Sequence, residues 1–103
     1  MVTIEPGYYE EGAFGIRLEN MVIVKKAMES NHRTFLQFEP LTFVPFEHRL
    51  IKLSMMNEEE IQWLNDYHHE CFARIRHLLK DPAGVSALDW IRARAEPLPL
   101  TGK

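Results

Sequence analysis

Two periodicities divide this chain. Up to about Val44 apolar residues tend to recur at every second position, and from Ile61 to Ile91 they recur every three or four. The first half therefore predicts strands. Met1–Glu5 and Phe14–Val24 are rich in β-branched and aromatic residues, and Pro6-Gly7 and Glu11-Gly12 punctuate the stretch between them. This predicts two antiparallel strands with a long connection, a hairpin centred on Gly12. Alternation then puts Arg17, Glu19, Met21 and Ile23 on one face of the second strand. Phe14, Ile16, Leu18, Val22 and Val24 take the other face, with a break at Asn20. Lys25-Lys26 and the run Glu29–Arg33 predict a surface loop. Thr34–Phe38 alternates as a strand, Glu39-Pro40 breaks it, and Leu41–Val44 resumes it until Pro45. Phe46–Leu53 reads as either a short strand or irregular chain.

The second half predicts two helices. Asn57-Glu58-Glu59-Glu60 places a capping residue three positions before a glutamate, and acidic residues in a first turn suit the helix dipole. Ile61, Leu64, His68, Cys71 or Phe72, Ile75, Leu78 and Leu79 follow at helical spacing, so the helix should run to about Lys80. Trp63 and Tyr67 form a second edge four residues apart. Asp81-Pro82 restarts the chain as an N-cap with proline at the first helical position. Val85, Leu88, Ile91 and Trp90 make the apolar side of a shorter helix that Pro97 and Pro99 end. The fold class predicted is α+β: an antiparallel hairpin and short strands followed by two C-terminal helices.

Composition narrows the function classes. At 103 residues and 46% hydrophobic, the chain has enough apolar side chains for one small domain and too many for a disordered one. A net charge of −3 supplies no basic field for nucleic acid, and no apolar run is long enough to span a membrane. The Met1–Glu5 start has neither the positive region nor the apolar region of a secretory leader, and a single cysteine suits a reducing compartment, so the expected location is cytoplasmic.

Most candidate chemistry outside the first hairpin dissolves on inspection. His68-His69-Glu70-Cys71 lacks the spacing of a zinc helix, because the second histidine would have to stand at position 73, which is alanine. His68 is expected to be packed and hydrogen-bonded, and Cys71 to be a small core residue. His32, in a polar run, reads as surface. Glu5 and Glu19 are different, because a hairpin centred on Gly12 sets them opposite each other. Opposed like charges destabilise a sheet unless something positive lies between them, and spacing does not choose between a metal and plain solvent.

The residues around these two carboxylates carry more. Ile4-Glu5-Pro6-Gly7-Tyr8-Tyr9 and Gly15-Ile16-Arg17-Leu18-Glu19-Asn20 closely resemble the last catalytic block of aminopeptidase P, the Xaa-Pro aminopeptidases of the pita-bread metallopeptidase family M24. The resemblance continues through Phe38–Pro45, Trp63–His68 and Ala87–Trp90, and is nearest to the cytosolic, three-domain type. It implies residues 1–53 as the C-terminal β part of the catalytic domain and 54–103 as a helical C-terminal extension, in which Glu39 is a sheet-end residue and no ligand. It implies an enzyme with two divalent metal ions, usually manganese, acting on peptides with proline second. Glu5 would hold one metal, Glu19 would bridge both, and Arg17 would support the bridging carboxylate from behind. The family's two aspartates and its glycine-rich histidine motif have no counterpart here and would precede Met1. Two glutamates are an incomplete cage for two ions, so this chain is expected to be inactive alone. The alternative is a non-catalytic interaction or oligomerisation module derived from that fold. A homo-oligomer is expected in either case, because strand edges and apolar faces are left without partners.

Overall fold

The computed structural model describes residues 1–79 and 82–100. The chain is α+β and forms two compact units, Met1–Thr42 and Phe43–Lys103.

The first unit is all strand. β1 (Val2–Ile4), β2 (Gly7–Glu10), β3 (Phe14–Arg17), β4 (Asn20–Ser30) and β5 (Arg33–Pro40) form a three-stranded sheet in the order β1-β4-β5 and a two-stranded β2-β3 hairpin. Both pairings of the N-terminal part are antiparallel and share the register centred on Gly12: Val2 pairs with Val22, Ile4 with Asn20, Gly7 with Arg17 and Glu10 with Phe14. The hairpin is therefore the one expected, but its connection is short. Tyr8 and Tyr9 lie in β2, and only Glu11–Ala13 turn the chain. The expected single strand over Phe14–Val24 is interrupted at Leu18-Glu19 for a local reason. Leu18 N–H donates to the Pro6 carbonyl at 3.0 Å, and proline has no N–H with which to return the bond.

Two further expectations in this unit fail. Lys25–Arg33 is not a loop: β4 runs through to Ser30, bulges between Lys26 and Met28, and returns through Asn31-His32. Both turn residues have positive φ, 47° and 64°, the backbone that a two-residue hairpin turn requires and that asparagine tolerates. The lysines are paired within the sheet, Lys25 with Glu39 and Lys26 with Glu29. Likewise, Pro40 closes β5 instead of breaking it, and no strand resumes at Leu41. β5 is an edge strand, where a missing donor can be tolerated.

The second unit carries the better core. Asn57 and Glu60 make the reciprocal capping box at 2.8 and 2.9 Å. α1 (Glu58–Ile75) then buries Ile61, Leu64, Tyr67, His68 and Cys71. It tightens into a 3₁₀ turn at Arg76–Leu78 before the expected end near Lys80, which with Asp81 lies outside the described residues. That change of winding takes Leu78 off the apolar stripe, leaving it 69% exposed. α2 (Pro82–Ala95) buries Ile91, while Trp90 stays 40% exposed. Phe46–Leu53 contains no strand, only a 3₁₀ turn at His48–Leu50, with another at Leu53–Met55. After α2, Asn65 clamps the tail: its side chain donates to the Leu98 carbonyl at 3.0 Å and accepts from Leu98 N–H at 2.8 Å.

Candidate functional site

The β2-β3 hairpin presents one face of odd-numbered residues. Gly7 is paired with Arg17 and Tyr9 with Gly15. Extending the same register across the gap sets Glu5 opposite Glu19, between the two ladders that bracket them. Arg17 Nε lies 3.6 Å from Glu19 Oε2, two residues along the same strand face, with both side chains about half exposed. The three residues singled out from the sequence are thus brought together.

A fourth residue joins them that the sequence reading did not single out. Tyr9 lays its ring across both neighbouring glycines: a Cβ on Gly7 would stand 2.6 Å from the Tyr9 hydroxyl oxygen, and one on Gly15 would stand 2.8 Å from Tyr9 Cδ1. Any larger residue at either position would lift the ring. Lying flat, the ring delivers its hydroxyl to Arg17, and this hydrogen bond is the largest influence raising the Arg17 pKa. The negative charges of Glu19 and Glu5 add to it. The Gly12 register held the signal, since it puts Gly15 across from Tyr9 and Gly7 two positions back on the same face.

Chemically, the cluster presents two carboxylates, one of them within ion-pair distance of a guanidinium. Carboxylate oxygens are ligands of hard divalent cations. Among the described residues, no group of three or more His, Cys, Asp and Glu side chains converges on a point that could hold an ion. The pair fits one wall of a metal site and cannot enclose one.

The second unit's titratable residues are arranged for structure. His68 is 1% exposed and hydrogen-bonded, and Cys71 is fully buried with its thiol pKa raised, chiefly by burial. Glu47 accepts from Arg94 at 2.5 Å and caps Arg49 N–H. The Arg94 guanidinium, with help from that backbone N–H, holds the Glu47 carboxyl down at about 2.

Residues 34–98 match the family model described as the C-terminal region of peptidase M24. The chain is 37% identical over 99 residues to protein pid-5 of Caenorhabditis elegans, covering 95% of this chain and 9% of that protein. It is 41% identical over 100 residues to aminopeptidase P1 of Lotus japonicus, covering 94% of this chain and 15% of that protein. Among solved structures, an X-prolyl aminopeptidase of C. elegans, a cytosolic enzyme with a di-nuclear active site, matches with a TM-score of 0.80 and 34% identity. That match covers 93% of this chain and 16% of the enzyme. The chain thus spans only a small part of the relatives it matches.

Proposed function

The chain belongs to the family of the C-terminal region of peptidase M24, and from that premise we propose that it is the C-terminal part of the catalytic domain of an Xaa-Pro aminopeptidase. The parent would be a di-metal hydrolase that removes the N-terminal residue ahead of proline. The observation that carries this reading is the register that opposes Glu5 and Glu19 on the face where Tyr9 and Arg17 meet.

Each residue then has a defined task. Glu5 is a terminal ligand of one ion and Glu19 the ligand shared by both, with manganese the proposed metal. Arg17 fixes the orientation of the Glu19 carboxylate and offsets part of its charge, and Tyr9 holds Arg17 in place. Bound metal would supply Lewis-acid polarisation of a scissile carbonyl and a lowered pKa for water. The remaining ligands must come from outside these residues, so residues 1–53 are proposed as the end of the catalytic domain and 54–103 as its helical extension. The proposed compartment is the cytosol. The structural neighbour being a cytosolic enzyme supports this, and among the described residues no helix is long and apolar enough to cross a membrane.

A second reading, a non-catalytic interaction module, is favoured by one observation. Tyr8, Phe14, Ile16 and Leu18, the even-numbered face of the hairpin, are each at least half exposed, and Val22 is the one buried apolar side chain described in the first unit. Such a face calls for cover, from the rest of a parent protein or from a second copy. Activity separates the readings. A full-length protein carrying this segment should cleave peptides with proline second and lose that activity with Glu19→Ala, whereas the 103-residue chain should cleave none. A full-length protein inert on such peptides, with metals supplied, would leave the module reading standing.

A further inference from the structure

The segment Phe43–Leu50 is strapped across both helices of the second unit by side chains. Tyr67 of α1 donates to the Val44 carbonyl at 3.2 Å, Arg74 stacks over the Phe43 ring at 4.3 Å, and Arg94 of α2 pairs with Glu47. The centre of the strap is a pair of histidines. Phe46 N–H donates to His68 Nε2 at 3.0 Å, and His68 Nδ1 lies 3.2 Å from His48 Nε2. The two rings are stacked with centroids 5.2 Å apart.

A backbone N–H can only donate, so the protonation of the pair follows link by link. His68 Nε2 must be bare to accept from Phe46, hence a neutral His68 carries its proton on Nδ1. That proton is donated to His48, so His48 Nε2 must be bare as well. A proton added to His68 Nε2 would point at the Phe46 N–H, and one added to His48 Nε2 would point at the His68 N–H. Either proton breaks a link.

We propose that the His48–His68 pair is an acid-sensitive fastener, closed while His68 is neutral, that releases the Phe43–Leu50 strap from α1 when His68 is protonated. The groups facing His68 are Phe46 and His48 from the strap, Tyr67 from α1 and the Arg94 backbone from α2, and the strap's Glu47 carboxylate is held by the Arg94 guanidinium. Glu47 is neutralised by Arg94 and so leaves no free anion to stabilise an imidazolium. Burial, and then the neighbouring His48, push the His68 pKa down to about 4, against a weaker opposing contact with the Arg94 backbone. The sign is fixed by linkage. The unfolded chain binds this proton near the ordinary value of 6.5, so the fastener's stabilisation is complete above that pH. It declines as pH falls towards about 4.

The test is hydrogen exchange of the 103-residue chain, followed at the Phe46 amide from pH 7.5 to 4.5. The protection factor, corrected for intrinsic exchange, should fall by at least tenfold across that range, and imidazole ¹⁵N spectra at pH 7.5 should place the His68 proton on Nδ1. His68→Gln should remove the pH dependence, while His32→Gln and His69→Gln, at exposed positions, should keep it. If His68→Gln fails to fold, the wild-type protection profile and tautomer decide. A flat profile, or a His68 proton on Nε2 at pH 7.5, would overturn the proposal.

Discussion

Glu5 and Glu19 stand opposite each other in one antiparallel register although neither belongs to a ladder, because Pro6 interrupts the hydrogen bonding between the two sheets that they separate. The interruption leaves two carboxylates at a gap in the pairing, where their orientation depends on side-chain partners. For Glu19 that partner is Arg17, and for Arg17 it is Tyr9.

Tyr9→Phe tests that chain of support. Removing one hydroxyl leaves the ring over the glycines but takes away a hydrogen-bond partner of Arg17. In a full-length protein carrying this segment, metal affinity or kcat/KM is expected to drop roughly tenfold, the lower end of what loss of a ligand-supporting partner costs. Gly15→Ala should do at least as much, since its Cβ would meet the ring at 2.8 Å. Activity equal to wild type in both variants would remove Tyr9 from the account.

Core packing in the second unit gives a stability prediction. Leu64 is 4% exposed on the buried side of α1, so Leu64→Ala should destabilise this unit by about 3 kcal/mol in urea unfolding. Asn65→Ala should remove both tail contacts, and accelerated exchange at the Leu98 amide would report it. A Leu98 amide that exchanges at an unchanged rate would mean that the clamp is dispensable.

Much of this architecture was legible in the chain because local chemistry determined it. The capping box at Asn57 and Glu60, the register about Gly12 and the buried His68 each follow from a local spacing of residues. What escaped depended on side-chain partners and strand position that the sequence pattern does not display. Lys25 and Lys26 look like solvent-facing loop residues until Glu39 and Glu29 are brought beside them, and Asn31-His32 lacks the glycine that normally advertises a tight hairpin. Pro40 reads as a breaker unless the strand is known to lie at an edge. In the candidate site, the carboxylates and Arg17 were singled out from the motif, whereas Tyr9 emerged only when its ring was seen to lie over Gly7 and Gly15.

The ion pair between Glu47 and Arg94 predicts a second, more acidic loss of stability. The folded Glu47 carboxyl titrates at about 2 instead of 4.5, so its contribution is complete above 4.5 and disappears as pH falls through about 2. Unfolding midpoints of Arg94→Gln should lack this limb below pH 4.5, where wild type keeps it. Parallel acid limbs in the two proteins would contradict the pairing.

The bare even face of the hairpin predicts association. Sedimentation equilibrium of the 103-residue chain should show a concentration-dependent rise in mass, through strand pairing or apolar packing. A strict monomer at high micromolar concentration would show that this face tolerates water.

Metal stoichiometry tests the central claim most directly. A full-length protein carrying this segment, saturated with manganese and freed of excess ion, should retain two ions per chain. Glu5→Ala should retain about one, and Glu19→Ala should retain essentially none, because a shared ligand holds both ions and a terminal ligand holds one. Two ions retained by both variants would contradict the assignment of Glu5 and Glu19.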